Sequence, residues 1–80
     1  MRKHPNHATL YATIKDGATA YVSAGRGADA DHGEVIDMDD DCIEVAWGSL
    51  VRTWINVDAV TIHATLDEAI AAADAARGQE

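Results

Sequence analysis

This sequence has no Phe, one Pro, one Cys and few cations: six Lys and Arg stand against 14 Asp and Glu, a formal net charge of −8 over 80 residues. Each shortage excludes something. A lone Cys42 forms no internal disulfide and supplies no cysteine-based zinc site, and it suits a reducing compartment. The scarcity of cations leaves no basic footprint for DNA or RNA and no attraction to an anionic bilayer. Direct binding to nucleic acid or membrane is therefore not expected. No apolar run reaches the length of a membrane span, and Met1 to Pro5 leads into no apolar signal segment, so a soluble cytoplasmic protein is expected. Aromatic bulk is confined to Trp47, Trp54, Tyr11 and Tyr21. A single thin domain follows, one that buries only ~60% of the surface its unfolded chain exposes.

What the chain does have is concentrated negative charge. Between Gly27 and Val51 stand Asp29, Asp31, Glu34, Asp37, Asp39, Asp40, Asp41 and Glu44, with no Lys or Arg among them. Ordinary surfaces mix both signs. A one-signed segment raises self-repulsion and creates a field that draws in cationic surfaces.

Residues 1–7 read as a flexible tail and 8–80 as one domain, with strands over about 8–63. Leu10 to Ile14 and Ala18 to Val22 alternate in type around Lys15-Asp16-Gly17. That pattern predicts a hairpin whose three-residue loop holds Gly17 in the left-handed region. Ser23 to Gly33 contains three Gly and no periodicity, so it reads as a loop. Strands are predicted at Glu34 to Met38, Cys42 to Trp47 and Leu50 to Ile55, around an Asp39-Asp40-Asp41 turn and a Gly48-Ser49 turn. The last register stays open: a two-residue loop faces Trp54 toward Ile43, and a longer one faces Ile55 there.

Val60 to His63 reads as a short further strand. Thr65-Leu66-Asp67-Glu68 is a capping box that opens a helix over about 66–77, with Leu66, Ile70, Ala73 and Ala76 on one stripe and Gly78 at the stop. The fold class is α+β, mainly β: a small antiparallel sheet or a Src-homology-3-like barrel of about four to six strands with one C-terminal helix.

Gly33-x-Val35, Val45-x-Trp47, Arg52-Thr53-Trp54-Ile55 and Asp58-x-Val60 together resemble the small barrels of Tudor and KOW type over residues 33–60. The chain lacks the clustered aromatics of a methyl-lysine cage and the basic loop of a ribosome-binding module. The resemblance therefore implies a fold and not those functions.

Catalytic and metal signatures are sparse. Asp37-x-Asp39-x-Asp41 matches the opening of an EF-hand loop, but Cys42 occupies the position that needs Gly and Gly48 the position that needs the bidentate Glu. His4 and His7 have ligand-like spacing with no partner pair nearby, and His63 ends a strand as a packing or surface residue. No Ser-His-Asp order, phosphate loop or metalloprotease motif occurs. No enzyme activity, cofactor or metal is expected.

Small size, acidity and missing catalytic residues make the chain resemble phage-encoded anti-CRISPR proteins and other DNA mimics. That resemblance implies an inhibitor that docks on a basic, nucleic-acid-binding surface, such as that of a CRISPR effector complex. Asp29, Asp31, Glu34, Asp37, Asp39, Asp40, Asp41 and Glu44 would carry the contact. The alternative is an adapter barrel that binds a protein, or itself as a homodimer, through a strand edge or the aromatics Tyr11, Tyr21 and Trp54.

Overall fold

The computed structural model describes residues 5–78. In chain order the elements are helix α1 (Pro5–Lys15), strand β1 (Tyr21–Ala24), a 3-10 turn (Gly27–Asp29), β2 (Asp31–Met38), β3 (Cys42–Trp47), β4 (Arg52–Asn56), a second 3-10 turn (Val57–Ala59), β5 (Thr61–His63) and helix α2 (Leu66–Arg77). The strands form one antiparallel sheet in the order β4-β3-β2-β1-β5. Its two ends do not meet. Of the two forms the sequence allows, the protein takes the open sheet and not the closed barrel.

The hairpin expected over residues 10–22 does not form. Leu10 to Ile14 is helical, and residues 5–7 of the expected tail belong to the same helix; residues 1–4 lie outside the described residues. Five residues of alternation also place Leu10 and Ile14 four apart on one side of a helix, so the pattern served either period. Pro5 suits a helix start, and Gly17 decides the end. Its φ is 80°, left-handed as expected, but in the service of a helix stop. The Ala18 N–H donates to Thr13 O at 3.1 Å and the Gly17 N–H to Ile14 O at 3.0 Å, the paired bonds of a Schellman cap. Asn6 Nδ2 fixes the other end of α1 by donating to Val57 O and Val60 O at 2.8 and 2.9 Å.

Partner residues across the ladders define two sheet faces. One carries Val22, Val35, Ile43 and Val45, which with Leu10 of α1 and Ala20, Val57 and Val60 make the core. The other carries Tyr21, Ser23, His32, Glu34, Asp37, Glu44, Ala46, Arg52 and Trp54, since these sit opposite one another in register. Helix α2 packs against that second face over β1, β2 and β5. Ala69 and Ala73 are buried outside the core cluster, and Ala72, Ala75 and Ala76 line a groove with Ser23 and Thr61. Small side chains let the helix sit close to the sheet. The expected stripe is therefore centred on Ala69 and Ala73, while Leu66 is exposed.

The start of α2 follows the sequence closely: Thr65 Oγ1 accepts from the Glu68 N–H at 3.2 Å, and Glu68 Oε2 accepts from the Ala64 N–H at 3.2 Å. Arg77 closes the helix with Nη1 on Asp74 Oδ1 at 2.7 Å and Nη2 on Ala30 O at 3.2 Å. Gly78 ends it in a right-handed conformation, φ −82°, so the stop needs no left-handed residue.

Part of the stretch expected to be loop is strand: Ser23 and Ala24 lie in β1, and β2 begins at Asp31. The misleading residue is Gly33. It sits in mid-strand under the Trp47 ring, where a Cβ would meet the Val45 side chain and come within 3.0 Å of Ala46 O. Glycine here marks a close approach and not a turn. Farther along β2, Val35 pairs with Val45 but Asp37 pairs with Glu44, which leaves Ile36 as the extra residue of a bulge.

The β3–β4 connection takes the longer of its two options. Ile55 pairs with Ile43, and Trp54 points to the opposite face. The Leu50 N–H donates to Trp47 O at 2.9 Å and the Trp47 N–H to Val51 O at 2.8 Å, so Gly48, Ser49 and Leu50 form a three-residue loop. Its last position is left-handed and is usually glycine; here it is Leu50, with φ 71°.

Candidate functional site

The eight acids do not form a single cluster. Asp29 sits in the first 3-10 turn, Asp31 opens β2, and Asp37 lies near the strand's other end, beyond the bulge. At ~3.3 Å per residue, β2 separates its two ends by about 23 Å. Asp37, Asp39, Asp40, Asp41 and Glu44 gather at the β2–β3 hairpin tip, and Glu34 lies on the Asp37–Glu44 face one row away. Six of the named residues therefore share one end and face of the sheet, and two lie at the far end.

Asp31 is engaged within the fold. Its Oδ2 accepts from Ser49 Oγ at 2.9 Å and from the Ser49 N–H at 3.3 Å, and its Oδ1 accepts from the His32 N–H at 2.8 Å. Partial burial pushes its carboxyl up, but the bonds from Ser49 and His32, with the His32 charge, outweigh that and hold it below the ordinary value of 3.8. This residue ties the start of β2 to the β3–β4 loop.

At the tip, Asp37 Oδ1 accepts from the Met38 N–H and Asp39 Oδ1 from the Asp40 N–H, both at 2.8 Å. Each bond orders the turn and leaves the carboxylate facing solvent. Among the described residues, ion pairs join Asp31 to His32 and Asp74 to Arg77. Lys15 lines a shallow groove with Asp37, Asp39 and Asp40, but its Nζ lies 5.9 Å from the Tyr11 ring centre, which itself stacks on His7.

The three aromatics weighed in the sequence are separated. Tyr11 is on α1, Tyr21 is half-buried on β1 beside α2, and Trp54 is on the edge strand β4 with 51% of its surface exposed. The apolar exposure that sequence reasoning missed is Leu50, 94% exposed, with Val51 next to it. The left-handed loop position turns that side chain outward, and nothing local in Gly-Ser-Leu marks it.

One further pair was hidden by sequence separation. Ser23 Oγ and His63 Nε2 lie 2.7 Å apart because β5 pairs with β1. Ser23 is buried, and among the described residues no carboxylate bonds to His63, so the pair acts as a structural tie between the two strands. Among the described residues no three of His, Cys, Asp and Glu converge to hold a metal ion. None of the described helices is long and apolar enough to cross a membrane. Comparison with family models, curated proteins and solved structures finds no match to this chain.

Proposed function

We propose that this protein is a non-enzymatic inhibitor that docks the acidic end of its sheet on a positively charged, nucleic-acid-binding surface of a partner and blocks it, as anti-CRISPR proteins and DNA mimics do. One observation carries the reading: Asp37 and Glu44 are directly opposed across β2–β3, and the charge continues into Asp39 and Asp41 at the tip. Carboxylates about 5 Å apart across strands and about 7 Å apart along them offer a repeated negative array to Lys and Arg that would otherwise hold phosphates. Asp29 and Asp31 fall outside this surface. The half-exposed thiol of Cys42 suits a reducing, cytoplasmic setting.

The test is capture of a partner by the full chain, its identification, and competition by duplex DNA or RNA. Affinity is expected to fall with added salt, to be lost when Asp37, Asp39, Asp41 and Glu44 are neutralised together, and to be competed by the nucleic acid. Affinity unchanged by salt and by the four substitutions would overturn the reading. The half-exposed Trp54 on an edge strand favours a second reading, an adapter module that binds a protein or itself through that edge; in that case Trp54→Ala abolishes association and the four neutralisations do not.

A further inference from the structure

The sheet ends in two very different edges. β5 is three residues long and lies beside α1, whose Asn6 is bonded to the preceding turn. β4 is five residues long, and among the described residues no strand pairs with its outer side. The Trp47 N–H bond to Val51 O fixes which groups point outward. Alternation along the ladder turns Val51, Thr53 and Ile55 toward β3, and leaves the N–H and C=O groups of Arg52 and Trp54 and the N–H of Asn56 directed away from the sheet. Long open edges are usually blunted by lysine, proline or a bulge. Here the middle of the edge carries a half-exposed Trp, and the preceding loop carries an exposed Leu.

Charge is graded along this edge. Arg52 stands at one end. Toward the Asn56 end lie Asp58, the Asp39 to Asp41 tip, and the row Asp37–Glu44–Trp54 on the uncovered face. A second copy of this chain is a poor occupant, because pairing β4 with itself would join two anionic faces into one and bring together two molecules of charge −8. A cationic strand is complementary.

We propose that β4 takes an extended cationic segment of a partner protein as a sixth strand, with a Lys or Arg of that segment lying against Trp54 and facing Glu44. The inference rests on the acidic-docking reading and names the form in which the partner is held. Backbone bonds from Arg52, Trp54 and Asn56 supply sequence-independent affinity, and alternate side chains supply the selectivity. The incoming backbone runs about 10 Å from that of Glu44, two strand spacings, within reach of an extended Lys and Glu together. The cation reaches the Trp54 indole face on the way.

Two acetylated, amidated hexapeptides separate charge from strand addition: (Lys-Val)3, and the same sequence N-methylated at every residue's amide, which has equal charge and lacks the backbone donors that would face β4. Each is titrated into the full chain with hydrogen exchange read at individual amides. (Lys-Val)3 is expected to bind about tenfold more tightly than its N-methylated analogue, and to protect the amides of Arg52, Trp54 and Asn56. Asn56→Pro removes one outward donor at a position where φ is already −64°, together with the Oδ1 that accepts from Cys42 Sγ at 3.3 Å, so it is expected to weaken that preference with only a small fall in the unfolding midpoint. Equal affinity for the two peptides, or protection confined to residues outside β4, overturns the strand-addition proposal and leaves acidic docking intact. Protection of β4 that rises with protein concentration in the absence of peptide makes a second copy the occupant, and also overturns it. Salt-independent or absent binding of both peptides overturns the docking reading itself.

Discussion

Asp37 and Glu44 face each other across the β2–β3 ladder, and the next residue in their row is Trp54, not a cation. Like charges directly opposite cost stability. The pair is held in place by the rows on either side, Val35–Val45 and Met38–Ile43, whose side chains pack on the other face. A small domain with a thin core thus carries an avoidable repulsion near the hairpin end of its β2–β3 pairing, a cost that a basic partner would offset.

Removing one charge should therefore stabilise the isolated protein. Asp37→Asn or Glu44→Gln is expected to raise the unfolding free energy by about 0.5 kcal/mol at low salt. The second substitution adds less than the first, because the repulsion is already gone. Urea denaturation of both single variants and the double variant, with and without added salt, checks the sign and the coupling. The same substitutions are expected to weaken partner binding.

Leu50 holds a left-handed conformation that costs a branched side chain of its kind on the order of 1 kcal/mol. It is almost wholly exposed, so no packing offsets that cost. Leu50→Gly is expected to stabilise the fold by about 1 kcal/mol, read as a higher urea midpoint with an unchanged slope. A lower midpoint would show that the Leu50 side chain makes contacts that outweigh the strain.

Asp31 gives a defined response to acid. Its carboxyl is held below 3.8 in the folded chain, so the unfolded chain binds the proton first as pH falls. Its contribution is complete well above 3.8 and is lost as pH drops through the folded value. Wild type is thus expected to lose stability relative to Asp31→Asn on acidification, and the gap between them to stay constant near neutrality. Chemical denaturation of both forms over a pH series measures it.

Helix α1 can be tested through its stop and its anchor. Gly17→Ala meets no neighbouring atom, so its cost is that of the left-handed backbone alone, about 1 kcal/mol. Leu10→Ala empties a fully buried site in the core and is expected to cost about 3 kcal/mol. Loss of helical circular dichroism in step with the core in both variants would show that α1 folds as part of the domain.

How far these features could be read from the sequence depends on how local their causes are. The α2 capping box, the β3 alternation and the Asp-rich turn are fixed by neighbours a few residues apart, and they stand where the pattern put them. α1 was illegible because a five-residue stretch satisfies both a twofold and a 3.6-fold period, and Gly17 suits either outcome. Gly33 looked like loop because its reason, the Trp47 ring, comes from a residue that only the β2–β3 pairing brings near.

The acids illustrate the same limit at the level of the site. Their run in the chain suggested one surface, but a strand spreads consecutive residues over more than 20 Å and two faces. Only the pairing of β2 with β3 shows that Glu44 belongs with Asp37, and only the fold places Asp31 at the far end of β2, tied to Ser49.

Ile36 has a peculiar status as the supernumerary residue of the bulge. Excising it would restore an unbroken up-down rhythm from Asp31 to Met38, with every remaining side chain keeping its present facing. Such a shortened chain should fold with a straighter ribbon at this point. The one property it would forfeit is the local kink, which now sets the direction in which the aspartate-bearing hairpin leaves the body of the sheet.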